Sequence, residues 1–466
     1  MSTPHPRTPP PVPRSATDGI VFPGVAGGNQ AMYLAQLQQL ELSQYLPPDE
    51  LAARQWRQVE QVLWHASRTV PFYRDRLRRA GIRAGRPVSP EQWRAIAPLT
   101  REEIQTAGDR LHSTKVPAAH GGSATASTSG STGKPITVRK TALEQFFWNV
   151  FTLREELWHG RDLGGRFAAI RHDPTHRSGA PTKPTRMQDW GPPVGAVYPT
   201  GPGAVFDIRA TVAEQVEWLR REQPNVLLTF ASNMLALARH CRAHDIALPS
   251  LRALRTSGDM LHESTRETCR EVFGLELADM YSAVETGYIA VQCPDHEHYH
   301  VQAENLLLEV VDDAGAPCAP GRPGRVLLTP LLNFAMPLIR YEVGDIAELG
   351  PSCPCGRTLP VLTRILGRAR DMLLLPSGDR RFPHHNNRKM VNFPAIVQYQ
   401  LAQVGRERID FRLVTRRPLT AEEEADLRAT VLAGLGHPFD LHLVYLDEIP
   451  RTAAGKFEEF RCEYEP

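Results

Sequence analysis

From Val212 to Arg255 the chain alternates helix-like stretches, Val212 to Glu222 and Ser232 to His244, with short apolar runs, Val226 to Phe230 and Leu251 to Arg255. That rhythm buries strands between helices, so it predicts an α/β class. Beyond Val301 short strand-like runs crowd together (Leu306 to Val311, Arg325 to Thr329, Asp345 to Leu349), separated by Asp, Gly and Pro turns, and predict a β-rich subdomain. After about residue 370 a separate mixture follows: Ala395 to Leu401, Asp410 to Val414, the acidic stretch Ala421 to Leu432 and Leu441 to Tyr445. It is long enough for a small α+β domain with its own core.

A chain of 466 residues exceeds what one core usually serves. The expected plan is a Pro/Gly-rich mobile arm over 1–28, a large multi-subdomain α/β domain over 29–369 and a mobile C-terminal lid over 370–466. Near the start of the large domain, Leu51 to Ala80 carries helical periodicity interrupted at Pro71, which predicts one helix ending and another beginning there.

Charge excludes some roles. With 54 basic against 52 acidic side chains the net charge is only +2, and no segment clusters Lys and Arg densely enough to hold nucleic acid. Neither a membrane-length apolar run nor a secretory signal is present, so the expected location is the cytoplasm, with no membrane partner. The 7 cysteines are unevenly spaced and do not read as a disulfide framework.

The chemistry begins at Ser127-Thr128-Ser129-Gly130-Ser131-Thr132-Gly133-Lys134-Pro135. Hydroxyls and glycines let backbone N–H groups close on phosphate oxygens, although a plain Ser/Gly linker has the same composition. It is not the P-loop of the common NTPases: Thr128 stands where the first Gly belongs, and Pro135 follows Lys134 in place of Ser or Thr. Further along come Tyr281-Ser282-Ala283-Val284-Glu285-Thr286-Gly287, Arg340-Tyr341-Glu342-Val343-Gly344-Asp345, Gly367-Arg368-Ala369-Arg370-Asp371 and Pro450-Arg451-Thr452-Ala453-Ala454-Gly455-Lys456.

In this order the motifs resemble those of the superfamily of acyl-CoA synthetases, adenylation domains and luciferases. Val70-Pro71-Phe72-Tyr73-Arg74, Pro98-Leu99-Thr100-Arg101-Glu102-Glu103 and Cys353-Pro354-Cys355-Gly356-Arg357 point within it to the phenylacetate-CoA ligase branch. The resemblance spans residues 50 to 460 and implies an AMP-forming ligase. Such an enzyme activates a carboxylic acid with ATP and Mg²⁺ as its acyl-adenylate, then transfers the acyl group to the thiol of CoA.

The resemblance also implies roles. Lys456 reaches the reacting phosphate, Glu285 helps hold Mg²⁺, and Arg368 contacts the adenylate. Ser129, Gly130, Ser131, Thr132, Gly133 and Lys134 cradle the phosphates, and Asp345 accepts the ribose hydroxyls. Ser257, Gly258 and Asp259 line the adenine edge, with Ser282 beside Tyr281; Tyr281 either stacks near adenine or packs in the core. Two anions must meet when a carboxylate attacks a phosphate, which is why a cation such as Lys456 is needed there. Arg370 occupies the hinge position, where the family usually has Asp or Lys.

Cys293-Pro294-Asp295-His296-Glu297-His298-Tyr299-His300 and Cys353-Pro354-Cys355 supply thiolates and imidazoles in a number that suits tetrahedral zinc. By position in the family pattern the ligands are Cys293, His300, Cys353 and Cys355, with His298 as the substitute for His300, and the zinc is structural. His172 and His176 receive no role.

The acid is aromatic by resemblance, yet 166–202 is rich in Pro, Arg and His and includes Trp190, so it does not match a phenylacetate pocket. An amine acceptor, nitrite as the activated oxyanion, a non-catalytic nucleotide- or metal-binding role and a homodimer all stay open.

Overall fold

The computed structural model describes residues 11–127, 135–172, 183–382, 393–450 and 457–464. A twelve-stranded sheet organises the large domain among these residues. One half is parallel apart from its edge strand: Gly203–Asp207, Phe167–Arg171, Val226–Thr229, Ala253–Ser257 and Leu277–Ala283 run side by side, and Thr185–Met187 pairs antiparallel with Gly203–Asp207 at the edge. Here Val212–Glu222, Ala231–Ala243 and Glu263–Phe273 are the helices, and Trp218, Leu219, Met234, Leu237 and Cys269 pack with Ile170, Phe206 and Leu227 of the strands. Covered strands of this kind are apolar throughout, which explains the burial of Val226 and Leu227.

At Leu277–Ala283 the sheet changes character. Gly287–Gln292 turns back antiparallel to it, and the sheet continues through Tyr299–Val301, Val361–Arg368, Tyr341–Leu349 and Pro323–Pro330 to Leu306–Val311. The β-rich region expected beyond Val301 is therefore the other half of the same sheet. The helices Pro48–Thr69 and Pro71–Arg79 meet at Val70, with Pro71 opening the second; Val59, Val62, Leu63, Tyr73 and Leu77 pack with Leu338, Ile339 and Tyr341.

Residues 11–27, part of the expected arm, lie against the domain. Arg14 N donates to Val197 O, its Nε to Gly195 O at 2.9 Å, and Ala16 N to Val25 O. The first helix begins at Gly28.

Leu373, Tyr399, Leu401, Phe411, Leu427, Leu435 and Phe460 form a buried cluster of their own. It fills the space between the sheet Asp440–Tyr445, Arg408–Thr415, Ile396–Gln403, Phe460–Cys462 and the helix Ala421–Leu435. No helix among the described residues is long and apolar enough to cross a membrane.

Candidate active site

The seam where the sheet turns from parallel to antiparallel gathers the motif residues. Tyr281 lies on Leu277–Ala283, and its hydroxyl donates to Asp345 Oδ2 at 2.5 Å. Asp345 and Arg368 are direct cross-strand partners, with Arg368 Nε 3.7 Å from Asp345 Oδ1. Burial and the Asp345 carboxylate push the Tyr281 hydroxyl well above its ordinary range, so it remains a donor.

Glu285 sits in the turn between Leu277–Ala283 and Gly287–Gln292 and is buried. Tyr341 Oη donates to its Oε1 at 3.4 Å, and Arg101 Nη1 lies 3.8 Å from the same atom. Thus Tyr281, Glu285, Asp345 and Arg368 converge as motifs far apart in the chain. Arg101 and Tyr341 join them although sequence reasoning gave them no role; both stood inside quoted motifs, and only the fold shows which side chain of each motif faces Glu285.

Ser257 ends the strand Ala253–Ser257 beside Met280, Gly258 has φ +87°, and Ser282 pairs with Tyr288 across the strand turn. The Asp259 carboxylate is occupied elsewhere. It accepts from Ala231 N at 2.6 Å, Ser232 N at 3.2 Å and Ser232 Oγ at 2.6 Å, capping the helix Ala231–Ala243. Phe230 at the N-cap has no oxygen to offer those N–H groups, so a distant carboxylate supplies it.

Ser129, Gly130, Ser131, Thr132, Gly133, Lys134 and Lys456 lie outside the described residues, as does His176. On either side of 128–134 the strands Ser123–Ser127 and Thr137–Thr141 pair antiparallel, ending at Ser127 with Thr137. Arg370, at the position expected to be a hinge, forms ion pairs with Asp371 at 3.3 Å and Glu458 at 3.5 Å. Burial raises the Asp371 carboxyl above its ordinary value against the pull of Arg370.

Away from this seam, one ligand atom each from Cys293, His300, Cys353 and Cys355 falls within 4.8 Å of the others. His300 is fully buried and joins the thiols; His298 packs beside it, ring centroids 5.6 Å apart. Zinc–sulfur bonds of about 2.3 Å at tetrahedral angles put two thiolates about 3.8 Å apart and a thiolate and an imidazole nitrogen about 3.5 Å apart. The observed separations are 3.8 Å for Cys293 and Cys353 sulfurs and 3.4 Å for Cys355 Sγ to His300 Nε2. The neighbouring Cys355 sulfur and burial push the Cys293 thiol up, and burial pushes Cys353 up to about 11. A cation is what lets buried thiolates share so small a space, so the donor set fits a closed zinc site. Arg357 points Nη1 at Cys355 Sγ across 3.5 Å and stacks on Trp158 at 4.5 Å.

No protein-family model matches the chain. The phenylacetate-coenzyme A ligase of Thermus thermophilus is 27% identical over 398 residues, 83% of this chain and 82% of that protein. That of Escherichia coli is 26% identical over 428 residues, 87% of this chain and 93% of that protein. Among solved structures, a 2-hydroxyisobutyryl-CoA ligase in the postadenylation state with 2-HIB-AMP superposes with TM-score 0.70 at 19% identity, covering 90% of this chain and 91% of its own. By sequence this chain is similar to phenylacetate-coenzyme A ligases, and its fold is that of the 2-hydroxyisobutyryl-CoA ligase.

Proposed function

We propose that the protein is an AMP-forming acid–CoA ligase acting on an aromatic carboxylic acid. The observation that carries this is the convergence of Tyr281, Glu285, Asp345 and Arg368 at one seam of the sheet. In the first half-reaction the acid's carboxylate oxygen bonds to the α-phosphorus of ATP and the bond to pyrophosphate breaks. In the second, the CoA sulfur bonds to the acyl carbon, its proton leaves, and AMP departs with the carbonyl-bound oxygen.

The chain's groups divide this work. Asp345, oriented by Tyr281, accepts the ribose hydroxyls, as paired carboxylate acceptors do in other nucleotide sites. Arg368 lies beside it and places positive charge along the phosphate ester. Glu285, held between Tyr341 and Arg101, offers the one carboxylate oxygen that suffices for a phosphate-bound Mg²⁺, which when present neutralises phosphate charge. Lys456 and the hydroxyl-rich 128–134 loop supply the remaining donors. Cys293, His300, Cys353 and Cys355 would hold a structural zinc, with all four positions filled by protein.

Acid-dependent exchange of labelled pyrophosphate into ATP tests the first half-reaction, and AMP release with CoA, amines or nitrite tests the second. Exchange with an aromatic acid and a product that requires CoA is expected. A product requiring an amine, or AMP release driven by nitrite, would reassign the second step; absence of exchange with every acid and with nitrite would refute adenylation.

A further inference from the structure

Arg357 is buried, at 9% exposure, and carries a positive charge into the interior of the large domain. Its Nε donates to Gln44 Oε1 at 3.0 Å, its Nη1 points at Cys355 Sγ across 3.5 Å, and its guanidinium lies over the Trp158 ring at 4.5 Å. Gln44 is neutral and turns its own amide nitrogen to the exposed Glu41 at 2.6 Å. No carboxylate pairs with Arg357 among the described residues, and the acidic side chains around Trp158 are held by other cations. Arg154 takes Glu304 at 3.1 Å, and Arg161 and Arg255 take Glu155 and Glu156. A buried charge is costly without an opposite one, so the missing anion has to be sought on the remaining side, where the sulfurs lie.

There Cys293, Cys353, Cys355 and His300 stand with one ligand atom each within 4.8 Å of the others. A thiol that ligates zinc gives up its proton, so three thiolates and a neutral imidazole around Zn²⁺ sum to one net negative charge. His300 Nδ1 has no acceptor among the described residues, so no carboxylate adds further negative charge through the imidazole. One guanidinium matches that sum. The turn Cys355-Gly356-Arg357 brings the two together: Gly356, at φ +90°, reverses the chain so that the side chain two residues on returns over the sulfur.

We propose that Arg357 is the counter-ion of the metal centre, donating an N–H to the Cys355 thiolate and balancing the excess negative charge of the zinc with its three sulfurs and one imidazole. The inference rests on the zinc reading above and extends it from the four ligands to the group that neutralises them. A donated hydrogen bond and a nearby positive charge lower the energy of the sulfur electrons, which favours the thiolate form and slows loss of the metal. Trp158 keeps the arrangement rigid, with the guanidinium over its ring and His300 edge-on to it at 5.7 Å.

The tests use the full chain with its metal. X-ray absorption at the zinc edge of the wild type is expected to give three sulfurs and one nitrogen; a shell with fewer sulfurs carries no net negative charge and overturns the proposal. Competition with a chromogenic chelator, at a temperature where circular dichroism shows each protein folded, should give Arg357→Met a zinc affinity about 10–100-fold below the wild type, the loss usual for an outer partner. Arg357→Lys keeps the charge and should stay within a factor of a few of the wild type. With cobalt in place of zinc, the thiolate-to-metal charge-transfer band should move to lower energy in Arg357→Met, which loss of packing alone does not produce. Unchanged affinity or an unmoved band in Arg357→Met overturns the proposal. So does a loss of about tenfold or more in Arg357→Lys, a comparison that stands even where the methionine variant does not fold. Wild-type protein that takes up no zinc would instead strike the metal reading on which the proposal stands.

Discussion

The Tyr281 hydroxyl donates to Asp345 across 2.5 Å, tying the last parallel strand of the sheet to an antiparallel strand sixty-four residues further along. Neither side chain is fixed in place by its own segment alone. The bond holds one oxygen of Asp345 in place while Arg368 flanks the other. Tyr281→Phe keeps the ring and removes the donor. A hydrogen bond to a charged acceptor is worth about 1.5–3 kcal/mol, so KM for ATP in the exchange reaction should rise by about tenfold or more, with a smaller change in kcat. An unchanged KM would separate Asp345 from ribose recognition.

Asp259 gives a contrasting expectation. Its carboxylate caps the helix Ala231–Ala243 through two backbone N–H groups and the Ser232 hydroxyl. Asp259→Ala should cost about 1–2 kcal/mol of stability, read as a lowered thermal midpoint, and leave KM for ATP near the wild-type value. A large KM effect with unchanged stability would return this residue to the adenine edge.

The role proposed for Lys456 bears on the first half-reaction alone. Lys456→Ala should lower acid-dependent exchange by about 10²–10³-fold, the loss typical of removing one aimed charge-stabilising donor. ATP binding measured by calorimetry should persist. If exchange stays within a factor of a few, another cation serves the reacting phosphate.

Local pattern made most of the architecture readable. The helix Val212–Glu222 and the strand Leu306–Val311 match their sequence-predicted bounds, because apolar periodicity records which face is buried. The single continuous sheet was not readable: periodicity carries no information on which strands pair, and Gly287–Gln292 joins the parallel and antiparallel halves only through tertiary contact. The resemblance of the motifs to the adenylate-forming family brought out Glu285, Asp345 and the four metal-ligand candidates. It missed Arg101 beside Glu285 and Arg357 beside Cys355. In each case the partner is fixed by sequence separations of more than a hundred residues or by which side of a turn a side chain leaves.

The cysteine and histidine cluster predicts about one zinc per chain, measured by inductively coupled plasma mass spectrometry on protein purified without added metal. Cys355→Ser should lose that zinc and lower the thermal midpoint. The site's contacts are structural: His300 is packed edge-on to Trp158 at 5.7 Å, and Arg357 lies over the same Trp158 ring at 4.5 Å while bonding Gln44. Exchange measured at low temperature should therefore survive the substitution better than the thermal midpoint does. Metal-free protein with wild-type stability would remove zinc from the account.

The end of the helix Ala142–Trp158 predicts acid sensitivity with a defined onset. Glu155 and Glu156 are buried against Arg161 and Arg255, with Arg161 reaching them at 2.5 and 2.8 Å. His159 lies 3.9 Å from Glu155, and burial, followed by the Arg161 charge, pushes it down to about 3. Glu155 is pushed down to about 2, the pull of Arg161 and Arg255 outweighing its burial. An unfolded histidine takes its proton near its ordinary value of 6.5 while folded His159 stays neutral, so between there and about 3 the unfolded chain binds more protons. Stability contributed by His159 is therefore whole above that ordinary value and is lost as the pH falls below it. Glu155 adds its own loss only below the ordinary carboxylate value of 4.5. His159→Gln removes the first part, so the gap between wild-type and variant stability should change by up to about 1.4 kcal/mol per pH unit below the histidine value, in the variant's favour. His65, His120, His240 and His298 are lowered by burial as well, so the variant's slope should shrink rather than vanish. Thermal midpoints of both proteins at pH 7.5, 6.5 and 5.5 check this, and parallel curves would show that His159 takes up its proton as readily in the folded chain as in the unfolded one.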